Sequence, residues 1–243
     1  MKLLVVSGLS KRFGGLCAVR DLGFEVAAGS IHAIIGPNGA GKTSLFNLLT
    51  GFLPADSGSV RLAGTELLGR RPHAIARLGL ARSFQLARPF VGLTALESLM
   101  LPLGLPGRCA GVAQQRARAG EWLDTLGLSH KADAPSESLN QGELRLLDIG
   151  RALAAGPRLL LLDEPFSGLG AQAVRRVAQC LRDRREAGHT TLIIEHRLRE
   201  LMPLIDRALV LNFGARLAEG TPQAIAANVQ VIEAYLGRQG TLA

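Results

Sequence analysis

Cysteine is scarce in this chain, and long apolar runs are missing. The 243 residues include three cysteines, Cys17, Cys109 and Cys180, which are widely separated and form no CxxC pair. This odd, scattered set argues against a disulfide framework or a zinc site, and we expect buried thiols. No segment approaches the roughly 18 apolar residues of a membrane helix. The apolar run at residues 3–6 is too short for a signal-peptide core, so the sequence predicts a cytoplasmic protein.

Lysine is also rare, although the chain is basic. Only four of the 28 basic residues are lysine, and with 20 acidic residues the formal net charge is +8. Such a charge suits nucleic acid, an anionic membrane surface or a bound nucleotide. Because 47% of the residues are hydrophobic, the chain can bury a sizeable core, but its composition does not choose among these partners.

The most informative segment is a glycine-rich loop at residues 36–43, which matches GxxxxGK[ST]. A β-rich apolar run at 31–35 precedes it, and residues 44–49 are typical of a helix that opens there. Glycines let backbone N–H groups and a helix N-terminus approach the phosphates of ATP or GTP. Lys42 would reach the β and γ phosphates, and the Thr43 hydroxyl would bind Mg²⁺. The expected nucleotide-binding residues are Gly36, Pro37, Asn38, Gly39, Ala40, Gly41, Lys42, Thr43 and Ser44.

A run of four leucines at residues 159–162 ends in two carboxylates, Asp163 and Glu164, and is stopped by Pro165. An apolar strand that delivers acids to its carboxyl end is where an α/β sheet places its ligand chemistry. Asp163 is therefore expected to hold Mg²⁺ through water, and Glu164 to activate the attacking water as general base. Taken alone, a strand followed by an acidic cap is an equally good interpretation.

The periodicity predicts an α/β fold with an inserted helical part. Strands are expected at residues 3–6, 22–26, 31–35, 59–62, 159–162, 190–194 and 208–211. Helical patterns cover 95–100 and 114–126, with a breaker segment at 102–111 between them. Thr221 and Pro222 read as the cap and first position of a helical tail that runs to Leu236.

In this order the motifs resemble the ATP-binding subunits of ABC transporters, over essentially the whole chain. Besides the phosphate loop and the acidic strand, the resemblance rests on Gln85, the segments 139–143 and 167–170, and His196. It implies a P-loop NTPase core with an antiparallel β subdomain and an inserted helical subdomain. The single domain over residues 1–243 would have its core at about 1–85 and 140–212, the helical subdomain at about 86–139, and a tail at about 213–243.

The resemblance also implies roles for particular residues. Gln85 would sense Mg²⁺ and the attacking water and link them to the membrane partner, and His196 would contact the γ-phosphate. Phe13 would stack on adenine, although a plain core phenylalanine is an alternative. Asn140 and Gly142, in the signature segment, would meet the ATP of a partner subunit.

Three departures from the family pattern bear on signalling between subunits. Where the family usually has LSGGQ, this chain has Leu-Asn-Gln-Gly-Glu at residues 139–143. Glu143 would bring a negative charge near the γ-phosphate of the partner subunit's ATP unless its side chain faces away along the helix. Asn140 with Glu143 also reads as a helix capping pair. Gly170 stands where the family usually has Asp or Asn, and Arg197 follows the switch histidine where an acid is common.

Within the family, segments 81–85, 194–196 and 231–237 look like those of branched-chain amino acid importer ATPases. This likeness implies ATP hydrolysis with Mg²⁺ on the inner face of the cell membrane. The implied partners are permease subunits, a second ATPase subunit (a sister or a copy), and indirectly a solute-binding protein. Importers of urea, amides or aromatic acids, which are similar to the same subgroup, remain alternatives; the lipopolysaccharide export ATPase is more distantly similar.

Other function classes fit less well. No lysine follows an asparagine, so the NKxD motif of guanine-nucleotide switches is missing. A soluble ABC ATPase that acts on nucleic acid or ribosomes is a rival, but such proteins usually join two ATPase units; we expect no nucleic-acid partner. A non-hydrolysing regulator is disfavoured by Glu164. The family resemblance also implies that the permease contact lies just after Gln85, at residues 86–93, with Phe90 as its anchor or, alternatively, in the core of the insertion.

Overall fold

The computed structural model describes residues 1–236, which form two β-sheets and a set of covering helices. The strands of this part of the chain are β1 (Lys2–Phe13), β2 (Leu16–Ala27), β3 (Ile31–Ile35), β4 (Ser57–Leu62), β5 (Thr65–Glu66), β6 (Leu80–Arg82), β7 (Leu159–Asp163), β8 (Thr190–Ile194), β9 (Arg207–Asn212) and β10 (Ala215–Gly220). Its helices are α1 (Lys42–Leu49), α2 (Pro72–Arg77), α3 (Ala95–Leu103), α4 (Val112–Leu126), α5 (Gln141–Ala154), α6 (Ala171–Glu186), α7 (Leu198–Leu201), α8 (Pro222–Ala226) and α9 (Val229–Leu236). Residues 237–243, the end of the expected tail, lie outside the described residues.

The larger sheet has six strands in the order β10-β9-β3-β8-β7-β6. All neighbours in it are parallel except β9 and β10, which form an antiparallel hairpin. The smaller sheet is antiparallel, in the order β2-β1-β4-β5. The carboxyl ends of β3, β7 and β8 meet at one edge of the larger sheet, where α/β proteins bind their ligands.

The central strands are buried on both faces, which explains their unbroken apolar runs. In β7, Leu160 and Leu162 pack into the core under the helices α3 to α6. Leu159 and Leu161 point the other way, into the core shared with α1 and the antiparallel sheet. The four-leucine run thus joins two hydrophobic cores through one strand.

Helices α3, α4 and α5 pack against one another as a helical layer. A capping box at Thr94 starts α3, where the Thr94 side chain accepts from the Glu97 N–H and Glu97 accepts from the Thr94 N–H. A buried hydrogen bond of 2.8 Å between Ser98 and Ser136 ties α3 to the segment before α5. Since α5 begins at Gln141, the packed helices continue beyond residue 139 to Ala154.

The structure contains elements that the sequence pattern does not predict. Strands β1 and β2 are twelve residues each, far longer than the apolar runs within them. β6 has only three residues, and β10 lies at the sheet edge without a clean apolar alternation. The expectation of buried thiols holds for Cys180, where burial raises the pKa to about 11, but is wrong for Cys17 and Cys109, which are partly exposed.

In the described part of the chain, none of the helices is long and apolar enough to cross a lipid bilayer.

Candidate nucleotide site

The phosphate loop lies between β3 and α1 and depends on glycine at two close backbone contacts. Gly36 has a φ of +148°, and a Cβ there would lie 2.1 Å from the carbonyl oxygen of Leu211. Gly41 has a φ of +100°, and a Cβ there would lie 2.2 Å from the carbonyl oxygen of Ala18. Any larger residue would push the loop off its support. The two glycines therefore let the loop backbone lie directly against β2 and β9. This contact sets the position of the loop, which leads into the start of α1.

Lys42 is buried at the first position of α1. Its Nζ donates hydrogen bonds to the carbonyl oxygens of Gly36, at 2.7 Å, and Pro37, at 2.9 Å. The first turn of α1 carries no acidic side chain. The ammonium and the helix N-terminus therefore place positive charge on the same side of the loop, as a bound triphosphate requires.

A cleft of about 980 Å³ opens over the phosphate loop. It brings together most of the residues that the sequence analysis selects, from five separate parts of the chain. These are Phe13, Asn38, Gly39, Gly41, Lys42, Thr43, Ser44, Gln85, Glu164 and His196. Phe13 is 48% exposed, which argues against the core alternative. Its ring lies 5.7 Å from the Lys11 ammonium.

Glu164 sits at the centre of the expected catalytic residues. Gln85 Nε2 donates to Glu164 Oε1 at 3.3 Å, and His196 Nε2 lies 3.1 Å from the same oxygen. Glu164 has a φ of +50°, a left-handed conformation that is rare for a side chain of this size. Strained backbone of this kind clusters at functional sites, where the surrounding structure holds it in place. The carboxylate therefore faces the cleft between an amide and an imidazole, where it can accept a proton from a water.

Asp163 is fully buried and forms an ion pair with Arg82, whose Nη2 lies 2.8 Å from Asp163 Oδ2. Burial raises the pKa of the Asp163 carboxyl, and the hydrogen bond from Arg82 acts in the opposite direction. The second oxygen, Oδ1, is buried without a hydrogen-bond partner. Asp163 does not line the cleft itself, but a carboxylate oxygen without a hydrogen-bond partner suits a hydrated Mg²⁺, which prefers hard oxygen ligands and keeps several waters.

Arg82 is one of several charged residues that the sequence analysis misses. Its guanidinium also donates to Asn47 Oδ1 at 2.7 Å and lies 5.4 and 5.3 Å from the ring centroids of Phe46 and Phe84. An arginine directly before the Ser83 to Gln85 segment carries no local signal of this contact. Only the tertiary fold brings it to Asp163.

A second set of residues that the sequence analysis misses lies on α5, where Arg145, Asp148 and Arg151 are spaced three residues apart. Arg145 donates to the carbonyl oxygens of Phe84 and Gln85, and Asp148 accepts from the Phe84 N–H at 2.8 Å. Arg151 donates to the Arg88 carbonyl at 2.8 Å and lies 4.3 Å from the centroid of the Phe90 ring. These three side chains bind the backbone after β6 to α5. Charged residues one helical turn apart in an otherwise apolar helix were the available signal.

Glu195 is a third missed residue, buried just before His196. Its carboxylate accepts from the N–H groups of His196, at 2.8 Å, and Phe166, at 2.9 Å. It thereby joins the loop after β8 to the loop after β7. An acid at the end of an apolar strand was again the available signal.

The signature segment lies outside the cleft. Asn140 and Glu143 form a complete capping box at the start of α5, with bonds of 3.0 and 2.9 Å. The Glu143 carboxylate is turned back towards the helix start and also lies 3.5 Å from the Lys131 ammonium. The structure therefore does not bring Asn140 or Gly142 to the phosphate loop of their own chain, and it partly neutralises Glu143.

The two other departures lie next to each other. Gly170 is the N-cap of α6 and offers no side-chain cap. Arg197 donates from Nη1 to the carbonyl oxygens of Phe166, at 3.1 Å, and Leu169, at 3.2 Å. The arginine after the switch histidine thus holds the loop that leads to Gly170.

A largely parallel sheet, a glycine-supported phosphate loop after β3 and a carboxylate pair at the end of β7, two strands away, define a P-loop nucleotide-binding protein. Comparison with known families makes this more specific. A sequence model described as ABC transporter matches residues 19–167, and one described as branched-chain amino acid ATP-binding cassette transporter matches residues 215–241. The chain belongs to the ATP-binding subunits of ABC transporters, and it is an ATPase.

Relatives of known name are similar over almost the whole chain. The high-affinity branched-chain amino acid transport ATP-binding proteins LivG of Salmonella typhimurium and BraF of Pseudomonas aeruginosa are each 40% identical. The alignments cover 97% of this chain and 98% of each relative. The probable LivG of Archaeoglobus fulgidus is 35% identical over 98% of this chain and 97% of its own length.

Solved structures agree on the fold. A nucleotide-free ATP-binding cassette from an ABC transporter superposes with a TM-score of 0.84 at 30% identity, covering 97% of this chain and 99% of that one. A cassette in its ADP conformation gives the same TM-score and identity over 98% of this chain and 99% of its own. The expected fold class and the ATPase assignment are confirmed.

Proposed function

We propose that this chain powers an importer of branched-chain amino acids from the inner face of the cell membrane. The observation that carries the proposal is the cleft in which Lys42, Glu164, Gln85 and His196 meet. The match of residues 215–241 to a branched-chain amino acid cassette family, and the names of the relatives, support the substrate class.

The residues of the cleft divide into a binding part and a reacting part. Backbone N–H groups of the phosphate loop and the Lys42 ammonium hold the β and γ phosphates, while the exposed ring of Phe13 offers a stacking surface for adenine. Thr43, Asp163 and Gln85 would hold Mg²⁺, which neutralises phosphate charge when bound. Asp163 contributes its free oxygen Oδ1 while Arg82 keeps the other one fixed.

Glu164 acts on the attacking water as general base. Because Gln85 and His196 share its Oε1, they hold the carboxylate in one orientation and leave Oε2 for the water. His196 is then placed to contact the γ-phosphate when ATP enters. Gln85 belongs to the segment bound by α5, so its position depends on that helix.

The partner surface is proposed at residues 86–93, directly after Gln85. Leu86 and Val91 are exposed there, and Phe90 is 43% exposed with its ring stacked on Arg151. An aromatic side chain held by a guanidinium on a rigid helix is a suitable interface anchor. A permease bound there would be connected to Gln85 and the signature helix through Arg145 and Arg151. A second ATPase subunit would complete the site by bringing its Asn140 and Gly142 to the ATP.

The test is permease coupling in Phe90→Ala, with Val229→Ala as a control that removes an exposed apolar side chain from α9. The chain is reconstituted with the permease subunits that co-purify with it. Phe90→Ala should keep its basal ATPase rate but lose about 30-fold in permease affinity, together with uptake of a branched-chain amino acid. Retained permease binding and uptake in Phe90→Ala would reject the surface. Uptake of urea or an amide instead of leucine by the parent protein would reject the substrate class.

A further inference from the structure

The turn between β9 and β10 has an unusual residue at its tip. Asn212 pairs with Ala215, so the loop consists of Phe213 and Gly214. Their φ angles are +46° and +77°, the combination of a type I′ turn. Asn, Asp and Gly are strongly preferred at the first of these positions, and a bulky side chain there is a backbone outlier.

This turn is fixed to the phosphate loop. The Gly214 N–H donates to the Ala40 carbonyl at 3.1 Å, and the Arg20 N–H donates to the Gly214 carbonyl at 2.7 Å. A Cβ at Gly214 would lie 2.8 Å from the Ala18 carbonyl oxygen, so the two backbones are in close contact. The position of Phe213 relative to Lys42 is therefore set by direct backbone contacts.

The Phe213 side chain lines the same cleft as Lys42 and is 74% exposed. Phe13 and Leu16, also largely exposed, line the same cleft. The remainder of the lining is the phosphate loop, the reacting residues and the rest of the β1–β2 hairpin, namely Arg12, Gly15, Cys17, Ala18 and Arg20. Exposed rings beside a phosphate-binding loop suit a planar aromatic group attached to phosphates, such as the base of a nucleotide.

Strain alone does not mark the site. Ala63 and Gly64 form the turn between β4 and β5 with φ angles of +47° and +83°, and Ala63 does not line the cleft. What distinguishes Phe213 is the combination of a disfavoured backbone, a large exposed ring and direct attachment to the phosphate loop. The Ala63 turn therefore provides a matched control.

We propose that Phe213 is a second aromatic contact for the base of ATP, in addition to Phe13. The inference rests on the proposed placement of ATP in this cleft. Because backbone contacts fix the turn to the phosphate loop, the Cα of Phe213 is held beside the cleft before the nucleotide arrives, and only the torsions of its exposed side chain are ordered on binding. Its backbone strain is then a cost to the fold that is offset by nucleotide affinity.

The test compares Phe213→Asn with Ala63→Asn, both of which place a residue favoured in this turn. Each is expected to raise the Tm of the nucleotide-free protein by about 2–4 °C, because strain is relieved. Only Phe213→Asn should weaken ATP binding, by about 5- to 30-fold in calorimetry with EDTA present. The affinity for inorganic tripolyphosphate, which has no base, should be the same in Phe213→Asn and the parent.

Unchanged ATP affinity in Phe213→Asn would overturn the inference, as would an equal loss of tripolyphosphate affinity. Lys42→Ala separates this failure from a failure of the proposed site. If Lys42→Ala abolishes ATP binding while Phe213→Asn leaves it intact, the site stands and only the aromatic contact is wrong. If Lys42→Ala also binds ATP normally, the placement of ATP in the cleft is wrong, and the inference falls with it.

Discussion

The ion pair between Arg82 and Asp163 yields the sharpest stability prediction. Both side chains are buried, and their hydrogen bond is 2.8 Å long. Arg82→Met removes the cation and leaves the carboxylate buried without a partner. Breaking a buried pair in this way typically costs about 3–5 kcal/mol. At roughly 2–4 °C per kcal/mol for a chain of this size, the Tm should fall by about 6–20 °C.

The double variant Arg82→Met with Asp163→Asn separates the lost pair from lost packing. Because it removes the uncompensated charge, it should recover at least about 2 kcal/mol of the loss, a positive coupling in a double-mutant cycle. Thermal unfolding followed by circular dichroism in EDTA measures both proteins. ATP with Mg²⁺ should raise the Tm of Arg82→Met more than that of the parent, since the metal then supplies the missing positive charge. Equal Tm values for the single and double variants would refute the reasoning.

Three further predictions concern acid stability, the signature segment and nucleic acid. Burial, reinforced by Arg207, lowers the pKa of His32 to about 4, whereas its unfolded value is 6.5. Between these pH values the unfolded chain binds a proton at His32 that the folded chain does not. The free energy of unfolding should therefore fall by up to about 3 kcal/mol as the pH drops from 6.5 to 4. His32→Leu should lack this part of the pH dependence in denaturant titrations. Glu143→Gln keeps a side-chain acceptor for the capping box and loses only the partly exposed ion pair with Lys131, so its free energy of unfolding should change by less than about 1 kcal/mol. A gain in its ATPase rate would show that the acid limits turnover. Finally, RNA and DNA should not stimulate the ATPase at physiological salt, and a saturable, steeply salt-dependent stimulation would revive the nucleic-acid reading of the net charge.

Local spacing made the phosphate loop and the Asp163–Glu164 pair predictable. The chemistry of these two segments depends on residues that are neighbours in sequence. The apolar strand before each segment indicates its position at the carboxyl end of a strand. Strands β3 and β8 were predicted to the residue because both are buried on two faces and bounded by polar residues or glycine. The order of the motifs then led to the family.

Residues whose role depends on distant partners could not be predicted. Arg82 is 81 positions from Asp163, and Arg145 is 61 from Phe84. The sequence carried no prediction for Phe213, since its φ angle and the contact of its turn with Ala40 appear only in the fold. The left-handed backbone of Glu164 has no sequence signal either. Strand β10 was missed because an edge strand with one solvated side needs little apolar patterning.

The central claim is that Glu164 is the general base of an ATPase site built on Lys42. It is tested most directly by measuring ATP binding and steady-state turnover of Glu164→Gln beside Lys42→Ala. Glu164→Gln should bind ATP with nearly the affinity of the parent and lose about 10² to 10⁴ in rate, because the base acts only on the attacking water. Lys42→Ala should lose binding itself. Near-normal turnover by Glu164→Gln, with contaminating ATPases excluded, would contradict the account.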